Sequence, residues 1–400
     1  MGYNTGGKVE MNNQKSLLQK GAILSISLML TSSQAINGVI PQMKQSLGIS
    51  QSQSELLGTA PSITVIVFIL LSSYFAKRIG MKNTIILGLL LAGIGGIIPV
   101  FTATFQTVLI SRVILGAGLG LYNSLAVTYI SSLYSGNTRA TLLGIRNSME
   151  ALGQTILIFL AGVLVNINWT ASFLVYAIAF PVALLFALKV PEIRDENSDI
   201  PENHVKEKMN PMVFALVLFA ILLVMNSIAI SVRFASIATE IKGVNFNASN
   251  YLALMPILGI LAGFMFGPIN KWIGKGTLYL GIIFFIISNL LIATSNGNMA
   301  FLLTGLFLSS ITGSWCFPFI FSNLDKVTTK NTINFATSLI FIGCNIGNFI
   351  APISMQLAQF LTRSTSLTAP FFVFAGIFMV VLFVTFFATK KKTTRVMTNL

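Results

Sequence analysis

Residues 57–101 read LGTAPSITVIVFILLSSYFAKRIGMKNTIILGLLLAGIGGIIPVF. Two apolar runs, 57–76 and 84–101, are separated by a short basic stretch, Lys77-Arg78-Ile-Gly80-Met-Lys82. Each run is close to the ~20 residues a helix needs to cross a hydrocarbon layer of roughly 30 Å. Neither alternates polar and apolar residues as a barrel strand does. The stretch therefore reads as two membrane helices joined at a tight, positively charged turn, and a turn of that charge belongs on the cytoplasmic side.

The same pattern extends in both directions. Apolar runs between polar or Gly/Pro breaks predict spans at 21–40, 57–76, 84–101, 107–134, 141–164, 170–188, 211–238, 250–270, 277–294, 299–323, 332–358 and 369–389, numbered here 1 to 12. A hydrophobic fraction of 54% with only 9% charged residues exceeds what the core of a soluble chain of 400 residues accommodates. The expected fold is all-α, with twelve transmembrane helices.

With the N-terminus in the cytoplasm, nineteen of the 25 Lys and Arg residues fall inside. Only Lys44, Lys242 and Arg363 fall outside, and Arg112, Arg146 and Arg233 lie within spans. The net charge of +14 thus follows the positive-inside rule, and nucleic acid is not an expected partner. The first apolar run is followed by Lys44 and further spans instead of a small-residue cleavage site, so no cleaved signal is expected. Short loops and few cysteines point to a bacterial cytoplasmic membrane, with both termini cytoplasmic and membrane lipid as the surrounding partner. The longest break, 189–210, holds six of the eleven acidic residues and reads as a cytoplasmic linker between an N-terminal half, 1–188, and a C-terminal half, 211–400.

The two halves share an internal repeat. Ser73-Tyr-Phe-Ala-Lys77-Arg78-Ile-Gly80-Met-Lys82 after span 2 corresponds to Gly267-Pro-Ile-Asn-Lys271-Trp-Ile-Gly274-Lys275 after span 8, with Gly80 and Gly274 194 residues apart. The same offset lays Leu152-Gly153-Gln154 of span 5 over Ile346-Gly347-Asn348 of span 11. One offset aligning two separate features indicates a duplicated six-helix unit.

With these features the chain resembles the major facilitator superfamily over essentially its whole length. Arg78, Gly80 and Lys82 fit the family's loop signature after span 2, although Ser73 replaces its first Gly and Lys77 its Asp. Arg112-Val-Ile-Leu-Gly116-Ala-Gly118 resembles the family's span 4 motif. The resemblance implies two pseudo-symmetric six-helix bundles and transport by alternating access, with spans 1, 4, 7 and 10 beside the solute path. It also implies a gating part for Arg78, Gly80, Lys82 and Gly274, against the plainer expectation that they fix loop geometry. The glycines suit a short loop that needs positive φ.

Ionisable groups inside spans carry the chemical signal, because an unpaired charge near the bilayer centre costs several kcal/mol. Span 5 bears Arg146 and Glu150, four residues apart and so on one face. Glu150 is expected to be the deep carboxylate, a proton-binding or substrate-binding group, since desolvation and a neighbouring cation compete for its charge state. A permanent ion pair with Arg146 is the alternative. Arg112, by resemblance, assists proton transfer; the competing expectation is a helix clamp. Arg233, with Glu240 seven residues later, reads as an external interface pair or gate. Polar candidates for lining the path are Gln34 and Asn37, Tyr122 and Asn123, Asn226 and Ser227, Trp315, and Asn345.

Signals for covalent chemistry do not occur: the sequence has no phosphate-binding loop and no nucleophile elbow. Cys316 and Cys344 sit in apolar runs and the sole histidine, His204, in a charged loop, so neither a metal site nor a cofactor is expected. The reading is a non-enzymatic, proton-coupled exporter of a moderately hydrophobic small molecule, sufficient as a monomer. Two alternatives are uptake or exchange of a small organic anion through the membrane arginines, and a non-transporting receptor or scaffold.

Overall fold

Gly80 is the only residue between two long helices, Pro61–Ile79 and Met81–Phe101. Its φ of 86° lies where glycine is at ease. Its N–H bonds to Ala76 O (3.0 Å) and closes the first helix, while its carbonyl accepts from the Thr84 N–H (3.1 Å) and opens the second. Gly274 takes the corresponding place after Leu254–Ile273, again with positive φ (53°). The tight basic turns read from the sequence are therefore built as expected.

The computed structural model describes residues 17–192, 209–274, 276–329 and 332–397. Among these there is no strand. Ten helices are long and apolar enough to cross a membrane, and the pair Leu17–Met29 and Ser32–Leu47, bent by 40°, supplies one more span. The apolar part of the last helix, Pro370–Phe386, completes a pattern consistent with twelve. Most of the linker, including His204, lies outside the described residues. The chain divides into two compact units, Met1–His204 and Val205–Leu400.

In the N-terminal unit, span 2 starts earlier than hydropathy predicts. Ser50 and Gln53 form a capping box, each side chain bonding the other's backbone N–H, which starts a polar helical turn at Gln51 ahead of the apolar run. That helix runs Gln51–Thr59, breaks at Ala60, and resumes at Pro61. Span 4, Phe105–Leu133, is capped by Thr104 in the same manner. It carries a glycine staircase: a Cβ on Gly120 would lie 2.7 Å from Val65 O in span 2, and one on Gly118 would lie 2.5 Å from Ala92 N in span 3. Backbones this close gain dispersion contacts, which hold membrane helices together in place of a hydrophobic drive. Span 5, Gly136–Leu164, presses Gly153 against the Leu28 carbonyl of span 1.

Span 1 is irregular where it meets span 5. Short 3-10 turns, Ile26–Met29, Ser32–Gln34 and Asn37–Val39, replace α-helix through its middle. Bent or unwound backbone at membrane depth is tolerated only against protein or a water-filled space.

Contacts in the C-terminal unit repeat those of the first at the 194-residue offset. A Cβ on Gly347 of Ile333–Thr362 would lie 2.6 Å from Ile221 O in Pro211–Lys242, the counterpart of Gly153 on Leu28. Ser314 Oγ of Met299–Val327 donates to Gly259 O (2.6 Å), at the place where Gly120 meets Val65 O in the first unit. The duplication is therefore legible in backbone packing as well as in sequence.

Candidate functional site

A polar cluster lies inside the N-terminal unit, where the break in span 1 faces span 5. Arg146 Nη1 donates to Glu150 Oε2 at 3.4 Å and to Asn147 Oδ1 at 2.9 Å. The Arg146 side chain is 11% exposed and that of Glu150 30%, so the carboxylate keeps access that the guanidinium lacks. Arg146 Nε is buried and has no hydrogen-bond partner. One turn beyond Glu150, Gln154 Nε2 donates to Gln34 Oε1 of span 1 (2.8 Å), and Thr31 Oγ1 reaches the Glu150 carbonyl oxygen at 3.5 Å. From span 4, Tyr122 is wholly buried, its hydroxyl without a protein partner and within electrostatic reach of the Glu150 carboxylate.

Of the residues singled out from sequence, the structure thus joins Arg146, Glu150, Gln34 and Tyr122. Asn37 is buried in the third turn of span 1, and Asn123 is half-buried one residue beyond Tyr122.

Arg112 stands apart from this group, ten residues or about 15 Å before Tyr122 along span 4. It is wholly buried, donates to the Tyr176 hydroxyl (2.8 Å), and lies over the rings of Phe173 (4.9 Å) and Tyr176 (4.8 Å). Its Nε and Nη2 have no partner. Two desolvated cation–π contacts contribute about 2 kcal/mol each, comparable to the roughly 3 kcal/mol that insertion scales assign to a mid-membrane arginine. Aromatic packing is therefore enough to hold this charge without a carboxylate.

In the C-terminal unit, Arg233 is almost fully buried and donates to Leu367 O (3.2 Å) in the loop before the last helix, a placement that the expected pairing with Glu240 did not anticipate. Trp315 is buried and its Nε1 donates to Ala262 O (3.0 Å), clamping span 10 to span 8. Asn345 Nδ2 bonds back to Phe341 O in its own helix (3.0 Å). Asn226 is wholly buried with both amide atoms unpartnered, and Ser227 beside it is half-buried.

At the basic turn, Arg78 is exposed over the Tyr74 ring (5.5 Å) and Lys82 is half-buried. Sequence reasoning missed two residues. Glu192, at the start of the linker, sets its carboxylate against Gly80 at the N-terminus of span 3, which favours an anion. Next to it, the Tyr129 hydroxyl donates to Pro191 O. An acid thus meets this turn from the linker, although Lys77 occupies the position where an acid was looked for.

Glu55 is the second. Besides Glu150, it is a further carboxylate taken into the fold, fully buried in Gln51–Thr59. Hydropathy placed it in a loop because the capped polar turn lies outside the apolar window. The capping-box spacing Ser50-x-x-Gln53 was the available signal.

Among curated relatives, the chain is 25% identical over 160 residues to the bacillibactin exporter of Bacillus subtilis (strain 168), covering 38% of this chain and 40% of that protein. The match therefore spans well under half of that relative. To the hexuronate transporter of the same organism it is 20% identical over 377 residues, 86% of each chain. Its fold is similar to the crystal structure of a bacterial homolog of the human lysosomal transporter Spinster in an inward-facing, unoccupied conformation, with TM-score 0.69, 18% identity, and 87% of this chain and 83% of that one covered. The family profile of the Major Facilitator Superfamily matches residues 22–352. With twelve-span architecture, a duplicated unit and that match, the chain belongs to the Major Facilitator Superfamily and is a multi-pass membrane protein.

Proposed function

We propose that this protein is a proton-coupled exporter of a moderately hydrophobic small molecule, in which Glu150 carries the exchanged proton. The observation that carries the reading is the Arg146–Glu150 pair at the break of span 1. A carboxylate left 30% exposed beside a guanidinium with an unpartnered Nε is an incomplete pair. An ion pair kept only for structure would be replaced by apolar residues at little cost. Protonating Glu150 releases its hold on Arg146, and deprotonation restores it, so proton and solute compete at one place. Gln34 and Tyr122 supply polar contacts to the solute, and alternating access exposes the site to each side in turn.

The charge bias of the loops supports a bacterial cytoplasmic membrane with both termini inside, and twelve spans are enough for a monomer to work. One observation favours a second reading, exchange of a small organic anion: two buried arginines, Arg112 and Arg146, present unpartnered N–H groups. The similarity to a hexuronate transporter supports it as well.

The test uses inside-out vesicles with an acid interior and a pH-sensitive dye, to which tetraphenylphosphonium, neutral drugs and small carboxylates are added in turn. Proton release on adding the cation or neutral drugs, lost in Glu150→Gln, is the expected result. A response confined to carboxylates would favour the anion reading, and no response to any compound would remove proton coupling.

A further inference from the structure

The buried carboxylate Glu55 is tied to one neighbouring helix by hydrogen bonds, and its segment packs on the broken part of span 1. Lys44 Nζ donates to Gln51 Oε1 (2.9 Å), and Gln51 Nε2 donates to Glu55 Oε1 (2.7 Å), so one amide links a lysine of Ile40–Leu47 to the carboxylate. These groups sit at the end of span 2 opposite the cytoplasmic basic turn. The Gln51–Thr59 segment also packs on the Ser32–Gln34 turn of span 1. Ser32 is fully buried and its hydroxyl has no protein partner. Gln34, in the same turn, accepts from Gln154, one helical turn from Glu150. The Tyr122 hydroxyl of span 4, also buried and unpartnered, is within electrostatic reach of Glu150.

Buried hydroxyls without protein partners are the groups that ordered water satisfies in protein interiors. Broken helices lining such polar space are how membrane transporters bring ions to mid-membrane. We propose that Glu55 is a second proton-handling carboxylate, the outer end of a polar route that runs along the break in span 1 to Glu150 within the N-terminal unit. The proposal rests on the reading of Glu150 as the coupling group.

The proton balance is simple. A proton from the external solution forms the O–H of Glu55. It passes along water bonded to the Ser32 hydroxyl to the Glu150 carboxylate, which becomes neutral as Glu55 recovers its charge. The charged and titratable groups around Glu55 fit this part. Lys44 is linked to it through Gln51, and the Ser32–Gln34 turn contributes no charge. Span 4, which also packs on Gln51–Thr59, carries Arg112, committed to Tyr176, and Tyr122.

The experiment follows carboxyl protonation by rapid-mixing infrared spectroscopy of the full chain in liposomes, after a step of the external pH from about 8 to about 5. The Glu150 band is the one missing in Glu150→Gln. In Glu55→Gln that band should rise at least about tenfold more slowly than in the wild type, a small loss on the scale of positioned acid–base groups. Ser32→Ala, which removes one hydroxyl and little volume, should slow it as well and provides the test if Glu55→Gln does not fold. Wild-type rates in the folded variants would overturn the route while leaving Glu150 as coupling group. Absence of a Glu150 band in the wild type would instead remove the coupling reading on which the route rests.

Discussion

Gln154 of span 5 donates its amide to Gln34 of span 1 across 2.8 Å, one turn from Glu150 and within the distorted part of span 1. The bond fixes the place of Glu150 relative to the break. Replacing either glutamine by leucine leaves a half-buried amide without its partner, while replacing both removes the need. A double-mutant cycle on thermal unfolding should give a coupling of about 1 kcal/mol between the two sites. Additive losses would mean that the bond does not hold the spans together.

Glu150→Gln keeps the shape of the side chain and removes its charge. The protein should reach the membrane in wild-type amounts, while gradient-driven transport falls by at least about a hundredfold, the scale of a lost proton-transfer group. Unchanged pH-dependent transport in the variant would take Glu150 out of the mechanism.

Two glycines of span 5 separate packing from propensity. Gly144 has nothing near the place of a Cβ, whereas a Cβ on Gly153 would run into the Leu28 carbonyl. Gly144→Ala should stabilise by up to about 1 kcal/mol through helix propensity. Gly153→Ala should destabilise by about 1–3 kcal/mol through overpacking. Comparing the two melting temperatures in detergent checks the contact, and equal shifts would refute it.

The aromatic seat of Arg112 gives a third contrast. Tyr176→Phe keeps both rings against Arg112 and removes the hydroxyl acceptor, leaving a further buried N–H unpaired, at about 1–3 kcal/mol. Arg112→Lys should cost at least as much, because a compact ammonium cannot lie over both rings while keeping the hydrogen bond. If Arg112→Lys unfolds at the wild-type temperature, the arginine is not the clamp described.

Orientation is checked without reference to transport. A tag on either terminus should react with reagents only when the cytoplasmic side is opened. Labelling of both termini from outside would reverse the topology inferred from the loop charges.

Hydropathy and the repeat were enough to read the helical class and the 194-residue duplication, because span length and the need for a glycine at a tight turn are local demands. The Arg146–Glu150 pair was legible for the same reason, four residues on one helix. Glu55 was not, because its burial depends on span 1 and span 4 covering a polar turn that looks solvated in one dimension. Arg233 finds Leu367 O, 134 residues away, and Arg112 finds two rings of span 6, contacts that exist only after the helices assemble. Trp315 reads as polar lining from its N–H, but only packing shows that the N–H is already taken by Ala262 O.

The one-residue joint at Gly80 has a consequence for how the length of this chain can drift over time. Each added residue turns a helix by about 100° and advances it about 1.5 Å. An insertion beside Gly80 that lengthened span 3 would swing Gly88 and Ala92 away from Gly118, so the glycine contacts between spans 3 and 4 would be lost together. This turn is therefore under a length constraint far stricter than its composition, and descendants of the gene can be expected to vary in the letters around Gly80 much more readily than in their number.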